Sequence, residues 1–271
     1  MKKRKLHTVV ISDLHLGTEK CCAGELLSYL NSINPKKLIL NGDIIDFSQS
    51  EEKYFPKSHV DVIKRILDLS VKGTEVFYLT GTVDNIFGRF THFNLGNIKI
   101  RKELTLELDG KKSWFFHGNT SYFYPKIATR FGKPGVFLQL VFTKLSSFTR
   151  PSDKKDKVHN SFLHSHNFEK TISDLAIANG YKYVACGFLR EPQIIRKVND
   201  KGTCLYLNSG DWVKSLTALE YRNKRWEIYN FKNDKLSPFY SDQELKSMNY
   251  NELLASIMIS GKSINLNKPR L

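Results

Sequence analysis

Apolar and polar positions alternate in blocks along the first half of the chain. Three short apolar runs, HTVVIS, KKLIL and EVFYLT, predict buried strands. Two longer stretches, AGELLSYLNSI and HVDVIKRILDLSVKG, repeat their apolar residues at the spacing of an amphipathic helix, and the second ends at Gly73, a typical helix stop. The order strand–helix–strand–helix–strand predicts an α/β fold with a parallel sheet covered by helices.

The pattern changes after Leu95. The stretch IKIRKELTLELDGKKSWFFHG alternates with a period of two, and its Asp109-Gly110 pair is typical of a tight hairpin turn. Further segments with the composition of strands are KYVACG, PQIIRKV, TCLYLNSGDW, SLTALEY and RWEIYNF. We therefore predict a second sheet that is largely antiparallel.

Two segments differ from this layered body. Residues 120–179 mix aromatic and long aliphatic side chains with many Lys and Arg, and we predict a helical cap insert that projects from the body. Residues 241–271 open with Ser241 and a Glu three residues later, which predicts a capped terminal helix followed by a disordered end. The main domain is then residues 1–240, with the insert inside it.

Composition limits the class of protein. The chain has 271 residues, 41% of them hydrophobic, and no apolar segment approaches the roughly 20 residues that a membrane-spanning helix needs. Its four cysteines form neither a CxxC pair nor a secreted disulfide pattern, so we expect reduced thiols and a soluble, cytoplasmic protein. The formal net charge of +15 has two interpretations, a polyanionic partner or a lysine-rich proteome.

Residues able to do chemistry follow the predicted strands. The first three strands end in Asp13–His15, Gly42–Asp46 and Gly81–Asp84, and two later strand ends carry His117 and Arg190. Loops at the carboxyl ends of buried strands are where α/β proteins hold their functional groups. We therefore expect these residues to share one cleft.

This order of strand ends resembles the calcineurin-like metallophosphoesterase family, whose pattern is D-x-H, G-D-x-x-D, G-N-H-D, a His before Gly, and G-H-x-H. The resemblance covers roughly residues 5–231, and LYLNSGDWVKSLTALEY is similar to the branch of UDP-2,3-diacylglucosamine diphosphatases, lipid A pathway enzymes. It implies a four-layer α-β-β-α sandwich and two divalent metals, usually manganese, with a bound hydroxide that attacks phosphorus. The metal ligands that the resemblance implies here are Asp13, His15, Asp43 and His117.

Other positions depart from the family pattern. Arg190 stands where a His would ligate the first metal, Thr82 and Phe188 replace two ligands of the second metal, and Val83 replaces the His that assists the phosphate. An arginine has no free lone pair for a metal, but it can neutralise carboxylates. We expect Arg190 to turn into the cleft, and we expect one divalent metal at most, with manganese suspected, at Asp13, His15 and Asp43.

Structural interpretations of the same residues stay open. Asp13 and Asp43 could be hydrogen-bonded loop anchors beside Arg190, and His117 could be an ordinary core histidine. The resemblance also implies a basic residue near Asp84 that touches the substrate's phosphate, and Arg89 stands close to that place, so Arg89 and Asp84 join Arg190 as candidate substrate-binding residues. No residue is assigned as catalytic.

Three classes of function follow. The first is an impaired or inactive metallophosphoesterase-like protein that binds a phosphorylated glycolipid, a nucleotide-sugar ligand or a protein partner. The second is an active phosphoesterase or pyrophosphatase with a single metal. The third, ranked last because no motif supports it, is a basic nucleic-acid binder.

The predicted insert bears on location. Its stretch GVFLQLVFTKL is flanked by basic residues that would favour an anionic membrane surface, which predicts peripheral attachment to the inner membrane. The alternative is an amphipathic core helix with a solvated basic face.

Overall fold

The computed structural model describes residues 3–46, 54–90, 93–118 and 168–234. Its first half follows the predicted order, with the elements β1 (Arg4–Ile11), α1 (Ala23–Ser32), β2 (Ile33–Asn41), α2 (Lys57–Val71), β3 (Glu75–Leu79) and a 3-10 helix (Asn85–Phe90). The later elements are β4 (Asn94–Leu95), β5 (Ile98–Arg101), β6 (Glu103–Leu108), β7 (Lys111–Phe116), α3 (168–178), β8 (Tyr183–Cys186), β9 (Gln193–Asn199), β10 (Gly202–Asn208), β11 (Thr217–Arg222), β12 (Arg225–Asn230) and a 3-10 turn (Phe231–Asn233).

The first sheet has the strand order β12-β11-β1-β2-β3-β5-β4. Strands β1, β2, β3 and β5 run parallel, as the alternating pattern predicts, and the flanking pairs are antiparallel. The central strands are apolar along most of their length because helices cover one face and the second sheet covers the other. Their carboxyl ends therefore open together at one edge of the sheet.

The second sheet corrects the prediction. Its order is β6-β7-β8-β10-β9, and β7, β8 and β10 are parallel, so the sheet is mixed rather than largely antiparallel. Strands β5, β11 and β12 belong to the first sheet instead. A fully buried strand such as β8 reads as a short apolar run, and such a run does not reveal its partner or its direction.

The hairpin prediction is confirmed. Strands β6 and β7 pair antiparallel, and Leu108 faces Lys111 across a two-residue turn. Asp109 and Gly110 both have positive φ, 49° and 75°, as a type I′ turn requires.

Three apolar clusters arrange these elements in layers. One cluster packs α1 and α2 against the outer face of the first sheet, with Leu26, Leu30 and Val62 among its buried residues. A second fills the space between the two sheets and joins Val10 of β1 with residues of β7, β8 and β10. The third packs α3 against the outer face of the second sheet. The described residues thus form an α/β protein with helices on the outer faces of two packed sheets.

The part of the predicted insert that the structure describes does not project from the body. Residues 168–178 form α3, whose Phe168, Ile172 and Ala176 are fully buried against the second sheet. The remainder of the insert and the tail at 241–271 lie outside the described residues. Within the described part, no helix is long and apolar enough to cross a membrane, and all four cysteines are free thiols.

Candidate functional site

The loops after β1 and β2 lie side by side and continue the pairing of their strands. The amide of Asp13 donates to the carbonyl oxygen of Gly42 at 3.0 Å, and the amide of His15 donates to that of Asp43 at 3.1 Å. Loops from both sheets meet here, because Nδ1 of His117, which follows β7, lies 2.8 Å from the carbonyl oxygen of Asn41 at the end of β2. The cleft predicted from the strand ends is therefore built by the fold itself.

The backbone at this cleft is held in an uncommon conformation. Asp13, His15, Asp43 and Arg190 have φ values of 53°, 50°, 54° and 54°, in the left-handed region that L residues seldom adopt. Such conformations persist where the surrounding structure determines them, and they concentrate at functional sites. All four residues come from the strand ends that the sequence singled out.

Two glycines permit close approach between these loops. A Cβ atom at Gly42, whose φ is +80°, would lie 2.3 Å from Cγ of His117. A Cβ atom at Gly81 would lie 2.2 Å from both the amide nitrogen and Oδ1 of Asp43. Any larger residue at either position would push apart the loops that carry the site.

Asp13, His15 and Asp43 form a buried group that could hold a metal ion. One potential ligand atom from each lies within 4.8 Å of the other two. Oδ2 of Asp13 is buried without a hydrogen-bond partner, an unusual state for a carboxylate oxygen. Burial raises the pKa of the Asp13 carboxyl, against the opposing influence of His117 and Arg190. This donor set fits a divalent cation.

His15 is oriented as metal-binding histidines are. Its Nδ1 lies 2.9 Å from Oδ2 of Asp46, and its Nε2 lies 2.9 Å from Nη2 of Arg190. Since a guanidinium can only donate, Nε2 must accept, and Nδ1 then carries the proton and donates to Asp46. A carboxylate that fixes the ring in this way is typical of metal sites.

Arg190 turns into this group, as the sequence predicts. Its Nε donates to Oδ1 of Asp13 at 2.6 Å, and its Nη2 lies 3.4 Å from Oδ2 of Asp43. With the contact to His15, one guanidinium spans all three potential ligands. The Arg190 side chain is nevertheless 45% exposed, whereas that of Asp13 is fully buried.

The carboxylate of Asp43 is satisfied by protein groups on both oxygens. Oδ1 accepts hydrogen bonds from the amides of Thr82 at 2.6 Å and Val83 at 3.1 Å. Oδ2 lies 3.4 Å from Nε2 of His117. Burial disfavours the charged form, but His117 and the two amides hold the pKa of Asp43 well below its usual range.

His117 is the second histidine beside Asp43. Its Nδ1 is 2.8 Å from the backbone oxygen of Asn41, to which it donates, and Nε2 faces Asp43. The ring is fully buried, and although burial lowers its pKa, the neighbouring Asp43 and Asp13 carboxylates raise the pKa of His117 to about 9. In this structure His117 acts as a buried hydrogen-bonding partner of Asp43.

The replaced positions have structural roles. Phe188 packs against the apolar cluster under α3, with its ring centroid 6.2 Å from that of Phe168. Thr82 and Val83 contribute backbone amides to Asp43. None of these three positions places an imidazole beside Asp43.

Asp84 and Arg89, the other candidate substrate-binding residues, lie in different surroundings. Asp84 is fully buried and accepts hydrogen bonds from the amides of Ile44 and Gly81 and from the Tyr78 hydroxyl at 2.6 Å. These contacts tie two cleft loops together, so Asp84 is better described as a loop anchor. Arg89 is exposed on the 3-10 helix, and among the described residues no hydrogen bond links it to the Asp13 group.

Sequence reasoning missed two parts of the site. One is Asp46, whose signal was present as the second carboxylate of the motif GDIID. The other is the pair of amides from Thr82 and Val83, which no side-chain pattern can show.

Comparisons with known proteins indicate what such a site is related to. No protein-family model matches the sequence. The chain is similar to a UDP-2,3-diacylglucosamine hydrolase of Aliivibrio fischeri (strain MJ11), with 22% identity over 234 residues, 81% of this chain and 96% of that protein. It is also similar to a UDP-2,3-diacylglucosamine hydrolase of Histophilus somni (strain 129Pt), with 28% identity over 167 residues, 57% of this chain and 71% of that protein.

Two solved structures are also similar. One is a novel archaeal phosphodiesterase, with a TM-score of 0.44 and 16% identity, covering 82% of this chain and 98% of that one. The other is a predicted phosphoesterase of Streptococcus pneumoniae TIGR4, with a TM-score of 0.35 and 16% identity, covering 84% of this chain and 90% of that one. The sequence relationships show distant homology to UDP-2,3-diacylglucosamine hydrolase, which confirms the resemblance carried by the strand-end motifs.

Proposed function

We propose that this protein is a metallophosphoesterase-like ligand-binding protein, related to UDP-2,3-diacylglucosamine hydrolase, whose two-metal hydrolysis is impaired or absent. One observation carries the proposal. The guanidinium of Arg190 lies 2.6 Å from Asp13 and 2.9 Å from His15, among the groups that would hold a metal. A permanent cation there leaves no room for a metal while it stays in place.

The side of the cleft formed by Asp43, His117, Thr82, Val83 and Phe188 supports the same proposal. Paired metals in hydrolases of this kind supply an activated water and neutralise phosphoryl charge. Here Oδ1 of Asp43 already accepts two amide hydrogen bonds, and Phe188 is packed among apolar side chains. We therefore propose that the protein holds one divalent metal at most, with manganese the expected ion, at Asp13, His15 and Asp43.

The proposed ligand is a phosphorylated glycolipid or a nucleotide-sugar. The Arg190 side chain is 45% exposed, and a guanidinium binds phosphate oxygens in a fixed, directional geometry. Hydrogen bonds to Asp13 and His15 hold the group in place, so little conformational entropy is lost when an anion binds. Arg190 is then the main phosphate contact of the described cleft.

Binding and turnover of UDP-2,3-diacylglucosamine test this proposal together. We expect binding in the presence of a chelator, and Arg190→Ala should weaken it by about tenfold or more, the value of a lost charged hydrogen bond. Arg196→Ala is the matched control, because Arg196 is exposed on β9 and should not affect affinity. Turnover by the unmodified protein at an ordinary rate, about 1–10³ s⁻¹, would refute the impaired hydrolase.

A second candidate function is a single-metal phosphoesterase. The unpartnered Oδ2 of Asp13 and the orientation of His15 by Asp46 favour it, because both are features of a metal-binding half-site. It requires turnover that depends on added manganese and is lost in Asp13→Asn. Turnover unaffected by a chelator would exclude it.

We further propose a cytoplasmic protein attached peripherally to the inner membrane through an anionic surface. In the described part, Ile86 and Phe90 are 61% and 53% exposed beside the exposed Arg89, a combination suited to a lipid interface. Cosedimentation with vesicles containing anionic lipid tests this, and equal sedimentation with neutral vesicles would contradict it. A protein partner remains a further proposal, and nucleic acid remains the least favoured partner.

A further inference from the structure

We infer that Arg190 is a built-in competitor of the metal: the resting site is closed by its own cation, and a divalent ion binds Asp13, His15 and Asp43 only when Arg190 leaves. This inference rests on the proposed function, since it describes how that site is regulated. It concerns metal uptake alone and makes no assumption about hydrolysis.

The first step of the argument is that Arg190 uses the same atoms that a metal would use. Its Nη2 is 2.9 Å from Nε2 of His15, which is the only ring nitrogen left free by Asp46. The same Nη2 lies 3.4 Å from Oδ2 of Asp43, and Nε is 2.6 Å from Oδ1 of Asp13. A cation bound to these atoms would face an arginine at hydrogen-bond distance from each of them.

The second step is that Arg190 cannot give up its charge. A histidine at this position could lose its proton and become a ligand, whereas a guanidinium stays protonated and has no lone pair to offer. Metal and arginine would therefore repel each other in a largely buried place, where screening by solvent is weak. Their binding is mutually exclusive rather than additive.

The third step is that Arg190 is able to leave. A useful comparison within the chain is Arg65, whose side chain is 2% exposed and which is bonded to the backbone oxygen of Leu30 and to Asp68. Arg65 has no route to solvent. Arg190 is 45% exposed and follows a turn in which its amide donates to the carbonyl oxygen of Gly187 at 3.0 Å, so its side chain can move outward while the turn remains.

A manganese titration without substrate tests the competition between Arg190 and the metal. The full chain and its Arg190→Ala variant are titrated with Mn²⁺ and followed by electron paramagnetic resonance of the free ion. We expect Arg190→Ala to bind Mn²⁺ at least about tenfold more tightly, within the range typical of coupling between two binding events. Arg190→Lys, which keeps the charge, should stay within about threefold of the unmodified protein, as should the surface control Arg196→Ala.

Melting temperatures measure how Arg190 and the metal each stabilise the site. In a chelator, Arg190→Ala should melt lower than the unmodified protein by about 3–6 °C, because Asp13 and Asp43 lose their cation. Saturating Mn²⁺ should restore that loss in Arg190→Ala and should raise the unmodified protein much less. Equal Mn²⁺ affinity in Arg190→Ala and the unmodified protein, or tighter binding in Arg190→Lys, would overturn the inference.

A measurement on the unmodified protein covers the case in which Arg190→Ala does not fold. The Nε–H nuclear magnetic resonance signal of Arg190 should be protected from exchange in a chelator, because it donates to Asp13. Saturating Cd²⁺, a diamagnetic ion, should remove that protection if the arginine is displaced. Protection that persists with the metal bound would overturn the inference, and neither result depends on whether the protein hydrolyses any phosphoester.

Discussion

The two halves of the cleft share Asp43 and differ in the groups that stabilise its buried carboxylates. On one side Asp13 and His15, oriented by Asp46, keep a ligand group, and Arg190 supplies its charge balance. On the other side the amides of Thr82 and Val83 donate hydrogen bonds to Asp43, and Phe188 packs against the apolar cluster beneath α3. The first side therefore contains a group that could hold a metal, whereas on the second side Asp43 is satisfied by backbone amides and His117.

The difference teaches that a buried carboxylate can be stabilised in two physically distinct ways. Such a carboxylate needs a cation or hydrogen bonds, since leaving it unpaired is costly. Asp13 gains a cation from Arg190, while Asp43 gains two amides and a buried histidine. The first solution is reversible because a side chain can move, and the second is fixed because it belongs to the loop backbone.

The largest expected effect comes from rebuilding both halves at once. The variant Thr82→Asn, Val83→His, Phe188→His and Arg190→His restores every replaced family position. A general acid–base group supplies about 10²–10⁴-fold, and a metal adds several kcal/mol, so turnover of UDP-2,3-diacylglucosamine with Mn²⁺ should rise by several decades. The variant carrying Arg190→His alone is the control for the first half, and it should bind one metal without reaching that rate.

A well-folded quadruple variant with two bound metals and no gain in turnover would contradict this account of the cleft. It would mean that some other group, absent from the comparison of the two halves, limits the reaction.

The next effect tests whether the second half is fixed by its backbone. Gly81→Ala would place a Cβ atom 2.2 Å from Oδ1 of Asp43, and overpacking of this kind costs about 1–3 kcal/mol of unfolding free energy or more. Gly24→Ala in α1 is the control, since a Cβ atom there meets nothing within 4 Å and alanine favours a helix by about 0.5–1 kcal/mol. Denaturant unfolding of the two variants gives the comparison. Equal stability of both variants would show that the loop adapts freely.

The smallest of these effects concerns His15, whose ring is oriented by Asp46. Asp46→Asn leaves a partner for Nδ1 of His15 but removes the carboxylate that holds the ring. In an Arg190→Ala background we therefore expect Asp46→Asn to lower the affinity for Mn²⁺ by about 10–100-fold. Calorimetric titration with Mn²⁺ measures it. Asp61→Asn on α2, whose carboxylate pairs with Lys57 and Lys64, is the control, and equal affinities would show that Asp46 does not orient a ligand.

Much of this fold could be predicted from the sequence because its signals are local. Apolar periodicity marked α1 and α2, and the Asp109-Gly110 pair marked the hairpin. The strand partners could not be predicted in the same way, since β8 and β11 both have the composition of buried strands although they lie in different sheets. Pairing depends on contacts between residues far apart in sequence, which local patterns do not record.

The site, like the fold, could be predicted only in part. The direction of Arg190 followed from electrostatics, because carboxylates at neighbouring strand ends attract a cation wherever the backbone allows it. The surroundings of Asp84 could not be read in this way, since its carboxylate accepts hydrogen bonds from two loop amides and Tyr78. A sequence shows which polar residues reach the cleft edge, but it does not show which way each side chain turns.

The most direct test of the central claim is anomalous scattering at the manganese edge, on crystals of the unmodified protein soaked in excess Mn²⁺. We predict one peak at most, between Asp13, His15 and Asp43, and the density of Arg190 should be displaced wherever that peak is occupied. No peak should appear between Asp43 and His117, where Phe188 and the capped Oδ1 leave no second ligand set. Two well-occupied peaks flanking Asp43 would contradict the account, because they would show that both halves of the cleft still bind metal.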